Sequence, residues 1–198
     1  GGAAGPSAAR APVVPDQRNT TAYLTLAGNL RTSGFETVTL DAGGAVAAQG
    51  SRTHSKFAAT RLQNEFRAAG DNQTRRREIV RRAADRIDER IATLKSRSER
   101  AHDRYNADRI SARTYLRELA VIDRSAEELR DAVDLLSTYS SAVGEPVSPD
   151  RIPGQKARLL PLEGPVRSRA LAAMTGESPP TRVYVATSEE GVVLATIE

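Results

Sequence analysis

The 198-residue chain has no cysteine and two histidines, His54 and His102. Disulfide frameworks and thiolate zinc sites are therefore excluded, and the two histidines fall on different predicted helices without a third ligand in reach. Two carboxylate pairs, Asp85 with Asp88 and Glu127 with Glu128, have the residue type that general acid–base work uses. They stand among arginines on helix surfaces, where ordinary solvation explains them, rather than in a cleft that could separate their pKa values. No phosphate loop, dinucleotide fingerprint, nucleophile elbow or zincin helix occurs, and Gly43 and Gly44 lack the strand context such a loop requires. The sequence thus offers no candidate catalytic, cofactor-binding or metal-ligating residue, and the expectation is a chain that is not an enzyme and holds no cofactor.

What the sequence has in quantity is arginine. Lys56, Lys95 and Lys156 are the only lysines among 29 basic residues, set against 25 acidic ones, for a formal net charge of +4. Arg75, Arg76, Arg77, Arg81 and Arg82 form the densest cluster and are the candidate contacts to an anion or a partner; Arg86 and Arg90 continue them. Guanidinium groups in such a patch suit phosphates. Residues 75–105 carry a net charge of +5 and residues 111–143 one of −2, so the following helix partly neutralises the first. Aromatic residues for base stacking are not interleaved with the arginines, which argues against nucleic acid without excluding it. Asn19 and Asn72 each begin an N-x-Thr triplet and are possible N-glycosylation sites.

The elements that would position these residues are legible by their periods. Val80, Ala84, Ile87, Ile91, Leu94, Ser98, Ala101 and Tyr105 follow alternating steps of four and three. A second such seam runs Ala112, Tyr115, Leu119, Ile122, Ala126, Leu129, Val133, Leu136, Ser140 and Val143. The two predict a long antiparallel helical hairpin over 75–143. Ser111 is its second N-cap, Ile110 is placed to staple against Tyr115, and Gly144 and Pro146 end it. The expected register sets Tyr105 beside Tyr115, Ala101 beside Leu119, Leu94 beside Ala126, Ile91 beside Leu129 and Ile87 beside Val133. On the flanks it opposes Arg104 to Glu118, Lys95 to Asp123 and Asp88 to Arg130. A slide of one heptad would oppose like charges.

A third helix is expected over 42–69, with Asp41 as N-cap and Gly70 as its left-handed stop. Its buried side would be Val46, Phe57, Ala58, Leu62 and Phe66, and Gly43, Gly44 and Gly50 weaken its start. Strands are expected at 23–26 and 36–40, and a β-hairpin at 182–186 and 192–197. A two-stranded ribbon is marginal alone, so this one either pairs with the N-terminal strands or belongs to a chain that continues. The segment from 147 to 163 reads as loop, and Gly164 and Pro165 open a short helix with Val166, Ala170 and Ala173 inward and Gly176 as its stop. The fold class expected is mainly α with a small β element, α+β: residues 1–18 a disordered leader, and 19–198 a single domain.

Five phrases, NTTAYLTL with SGFETVTLD, YNADRISARTYLRELAVID, LEGPVR and PPTRVYVATSEEGVVLATIE, resemble a family of uncharacterised haloarchaeal secreted or membrane-anchored proteins known only as domains of unknown function. The resemblance covers most of residues 19–198 and brings no catalytic residue with it. It implies an archaeal secreted or membrane-anchored setting, with this chain the N-terminal part of a longer one that a missing segment could anchor to a membrane; the two N-x-Thr triplets separately favour an extracellular or cell-surface glycoprotein. The functional expectation is a non-enzymatic extracellular structural or protein-interaction module built on the coiled-coil hairpin, its partner a protein or a cell-envelope component. The alternative is a basic coiled-coil module, extracellular or cytoplasmic, binding an anionic polymer such as nucleic acid or an envelope component.

Overall fold

The computed structural model describes residues 34–42, 56–188 and 191–197. The leader 1–18, the strand expected at 23–26, the first half of the helix expected over 42–69 with Val46, and also Asn19 and His54, lie outside the described residues, as does the side chain of Phe57. In chain order the elements are β1 (Gly34–Leu40), α1 (Lys56–Ala68), α2 (Gln73–Asn106), α3 (Ala112–Ala142), α4 (Arg151–Leu159), a 3-10 turn (Leu160–Leu162), α5 (Pro165–Thr175), β2 (Thr181–Thr187) and β3 (Val192–Ile197). The fold is mostly helical with a small antiparallel sheet, an α+β arrangement.

The hairpin of α2 and α3 forms as its two seams dictate, with helices of 34 and 31 residues. Every residue of the second seam is buried, and Ser98 and Tyr105 are the only half-covered members of the first. The Ser111 hydroxyl accepts the Thr114 N–H, so α3 starts where its cap places it. At the closed end the Tyr105 and Tyr115 rings stack with centroids 4.7 Å apart, and Arg104 donates to Glu118 at 2.5 Å. These two contacts agree with the expected register.

Two of the expected flank pairs do not form. Lys95 lies near Glu99 on its own helix, and Asp123 is buried, accepting the backbone N–H of Gly164 and the Ser168 hydroxyl. Asp88 likewise turns away from Arg130, which pairs with Glu163 instead. The cause in both cases is a third element. A carboxylate beside the hairpin is better satisfied by a helix start or by two guanidiniums than by one distant cation.

The element that redirects Asp88 is α4, which overturns the expectation of loop from 147 to 163. Its sequence, RIPGQKARL, contains both common helix breakers. Pro153 is the third helical residue, where the missing N–H is one that the first turn would leave unpaired anyway. Arg151 and Arg158 both donate to the Asp88 carboxylate, and Arg151 also reaches Asp85. The fully buried Gln155 donates to the Ala84 carbonyl at 3.0 Å and to Asp88 at 3.1 Å. Burial pushes the Asp88 carboxyl up, but the hydrogen bonds from Arg151, Gln155 and Arg158 outweigh it and hold the group below its ordinary range.

Two cores share the hairpin. Toward its open end, Leu62 and Phe66 of α1, Leu159 of α4 and Leu162 join the seam residues from Val80 to Leu94 and from Ile122 to Val143. Phe66 stacks on Tyr139 at 4.0 Å, which confirms that α1 is the third packed helix, and Gly70 at φ 51° ends its turn. Toward the closed end, Ala170 and Ala173 of α5 and the inward strand residues Val38, Leu40, Val183 and Val185 cover Tyr115, Leu116 and Leu119. The strand order is β1-β2-β3, all antiparallel, with Val38 opposite Val183 and Val185 opposite Leu194. Thus the C-terminal ribbon does pair with an N-terminal strand.

Asp88→Asn removes the charge that both arginines of α4 share, and is expected to cost about 1–2 kcal/mol near neutral pH. Because the folded pKa of Asp88 is lowered, its contribution is present above the unfolded value of about 3.9 and fades as pH falls through the folded one. Urea unfolding of both proteins at neutral pH and near pH 2 checks this: the difference in midpoint should shrink in acid, and an unchanged difference refutes the assignment.

Candidate functional site

The arginine cluster at the start of α2 is the first place to test for an exposed binding patch, and most of it is turned to internal use. Asn72 caps the helix, its side chain accepting the Arg75 N–H at 2.9 Å. Arg76 lies over the Phe66 ring, 5.0 Å from the centroid, with its Nε buried. Arg77 donates from Nε to the Val143 carbonyl at 2.8 Å, and Arg81 to the Pro146 carbonyl at 3.2 Å. Arg82 pairs with Glu78 one turn away. Arg75 is exposed.

The placement of Arg77 and Arg81 follows from electrostatics. Positive charge in the first turn of a helix opposes that helix's own dipole. In an antiparallel hairpin, however, the start of α2 lies beside the end of α3, whose last turn contains no basic residue. Arg77 and Arg81 supply from α2 the cations that α3 lacks. Gly144, at φ 78°, gives the chain its turn there, and a Cβ at that position would lie 3.3 Å from the Arg77 guanidinium.

Other groups singled out by type are also engaged. His102 spans the closed end of the hairpin and the β2–β3 turn, its Nε2 2.9 Å from the Ser188 carbonyl and its Nδ1 3.3 Å from the Tyr115 hydroxyl. The tautomer protonated at Nε2 satisfies both contacts, with Nδ1 accepting from the phenol. Asn106 donates to the same carbonyl at 3.0 Å. Burial pushes the Tyr115 phenol up to about 12, so it stays a donor throughout the working range. Arg113 fastens β1 to α3 by donating to the Thr39 carbonyl at 2.8 Å. The histidine is thus a strut between helix and sheet, and among the described residues no group of three His, Cys, Asp or Glu side chains could hold a metal.

A hollow of about 530 Å³ opens between α1 and α3, lined by Ala59 and Thr60 on one side and by Arg124, Glu127, Arg130 and Glu163 on the other. Its walls are ion pairs: Arg124 with Glu127 and Glu128, Arg130 with Glu163. Burial pushes the Glu163 carboxyl above its ordinary range against the pull of Arg130, with Asp123 and Glu127 adding to the rise. Glu127, Glu128 and Glu163 are thus held by guanidiniums, and Asp131 is the fourth carboxylate of the lining.

What the surface does present is farther along α2. Arg90, Arg97 and Arg100 are exposed, and no ion pair holds any of the three among the described residues. Sequence reasoning placed the basic emphasis at the helix start because the charges are densest there. The signal for the later residues is their spacing rather than their number.

Arg77→Ala should cost about 1 kcal/mol by removing one of the two cations at the end of α3 and its hydrogen bond to Val143, whereas Arg75→Ala should change stability by less than about 0.5 kcal/mol. Thermal melts of the two variants side by side check the difference in role; equal effects would refute it.

No curated protein matches the chain. No solved structure matches it either. A family model described as a domain of unknown function, DUF7096, matches residues 2–179. That span includes β1 and all five helices, and ends before the ribbon of β2 and β3; on its extent, the chain belongs to the DUF7096 family.

Proposed function

We propose that this chain is a non-enzymatic extracellular module for structure or protein interaction, with the antiparallel hairpin as its rigid arm. The observation that carries the reading is the contrast in how arginines are used. Along the open end of the hairpin they are spent on holding α1, α3 and α4 in place, while Arg90, Arg97 and Arg100 stay exposed on a helix that is clamped at both ends. A rigid element presenting uncommitted charged side chains is a surface prepared for another molecule, since little ordering entropy remains to be lost on contact.

The extracellular part of the proposal is supported by Asn72. It is exposed and heads the Asn72-Gln73-Thr74 triplet, and its oxygen is occupied as the helix cap, which leaves its Nδ2 for a glycan. No helix among the described residues is long and apolar enough to cross a membrane. The haloarchaeal and secreted character implied by the sequence resemblance belongs to the same proposal. Binding of an anionic polymer, nucleic acid or an envelope component, is the second reading, favoured by the same exposed arginines.

Three measurements in the native host test the proposal. Protease added to intact cells should cleave the chain, and the peptide containing Asn72 should carry a glycan mass. Crosslinking on those cells should also trap the chain in one discrete heavier species. A chain that is protected until lysis, unmodified and free of any adduct overturns the reading.

A further inference from the structure

The exposed arginines of α2 have a spacing of their own. Arg86, Arg90, Thr93, Arg97, Arg100 and Arg104 succeed one another by steps of four, three, four, three and four. At about 100° per residue they fall within an arc of about 80° and run for about 27 Å along the helix. This is a second heptad stripe, flanking the apolar seam, with a guanidinium at every position but Thr93. It is the pattern in which a straight helix offers itself to another helix.

Both ends of the stripe already take glutamates presented by helices. Arg86 binds Glu65 of α1 at 2.9 Å, and Arg104 binds Glu118 of α3 at 2.5 Å. Between them Arg90, Arg97 and Arg100 are exposed without an ion pair among the described residues. The chain has little with which to fill that gap. Residues 43–55 contain no Asp or Glu, and the other residues outside those described hold only Asp16, Glu189, Glu190 and Glu198, none in a four-three repeat.

We infer that the middle of this stripe docks an acidic helix of a partner protein, lying lengthwise against α2 with glutamates or aspartates at four-three spacing opposite Arg90, Arg97 and Arg100. The inference rests on the reading of the hairpin as an interaction module and names the chemistry of its partner. Arginine suits the role because its planar fork holds a carboxylate by two parallel hydrogen bonds. Spacing supplies the specificity: carboxylates distributed otherwise around a helix would leave at least one guanidinium unmatched.

The test uses the intact chain and two fluorescent synthetic helical peptides of identical composition, one with glutamates in a four-three repeat and one with the same glutamates spread evenly around the helix. Anisotropy titrations should show the repeat peptide binding about tenfold more tightly, the sum of three modest ion pairs. That preference should vanish in the Arg90→Gln, Arg97→Gln, Arg100→Gln triple variant, whose helicity circular dichroism should show unchanged. An Arg97→Glu, Arg100→Glu variant should in turn prefer a peptide with lysines at the matching positions, a gain that loss of folding cannot imitate. Equal binding of the two glutamate peptides overturns the inference. So does duplex DNA, or a vesicle rich in anionic lipid, bound as tightly through the same three arginines. If the triple variant still yields the discrete crosslinked species on cells, the module reading stands and this surface is not its contact.

Discussion

The arrangement depends on α3 having too much apolar surface for one neighbour. A coiled-coil seam occupies two positions in seven, but Leu116, Ala120, Ala132 and the partly covered Leu135 add flanks on both sides of it. Packing α2 against the seam leaves those flanks open to water. At about 25 cal/mol per Å² of apolar area that exposure is costly, and each remaining element closes part of it. α1 covers one flank near the open end, α5 and the sheet cover the other near the closed end, and α4 seals the bottom between α2 and α3. The cost of surrounding a helix so fully is that polar side chains are caught inside. Asp123, Ser125 and Ser140 are all buried on α3, and Asp123 is tolerated because it accepts the N–H of Gly164, the residue that caps α5, and the Ser168 hydroxyl.

Charge then determines how the covering elements attach. Among the described residues arginine makes many of the long-range side-chain hydrogen bonds: Arg151 and Arg158 tie α4 to α2, Arg113 ties β1 to α3, and Arg77 and Arg81 tie the start of α2 to the end of α3. The near absence of lysine fits this use, because the rigid fork of a guanidinium can reach two acceptors while losing less freedom per bond than an ammonium. Much of the basic composition is thus an internal fastening, and among the exposed arginines left over, Arg90, Arg97 and Arg100 share one stripe along α2.

Much of this could be read in the residues before any coordinates. The hairpin was legible because small and large apolar residues repeat at 3.5 through two long runs, and its closed-end register because Tyr105 with Tyr115 and Arg104 with Glu118 sit next to the short 107–111 connection that brings them together. α4 was not legible, since Pro153 and Gly154 read as breakers unless they are known to fall in or next to a helix's first turn. Nor were the real partners of Asp88 and Asp123, which arrive from more than 40 residues downstream and win over the neighbouring helix only once the chain has turned back. The Arg77 contact had a readable signal that composition obscured: a helix end without cations, followed in space by a helix start with too many. The stripe at Arg90, Arg97 and Arg100 needed the exposure of each residue, because periodicity alone does not distinguish a covered flank from an open one.

The pairing of β1 with β2 joins Leu40 to Thr181 and so closes a loop of roughly 140 residues. In a flexible chain such closure costs about 4 kcal/mol of entropy before any contact offsets it. The helices between the two strands are local structures with short connections, and once they have packed, the strand ends are already near one another. The topology thus divides the fold into a hairpin held by contacts across one short turn and a sheet that depends on a long-range closure, which the packed helices make less costly.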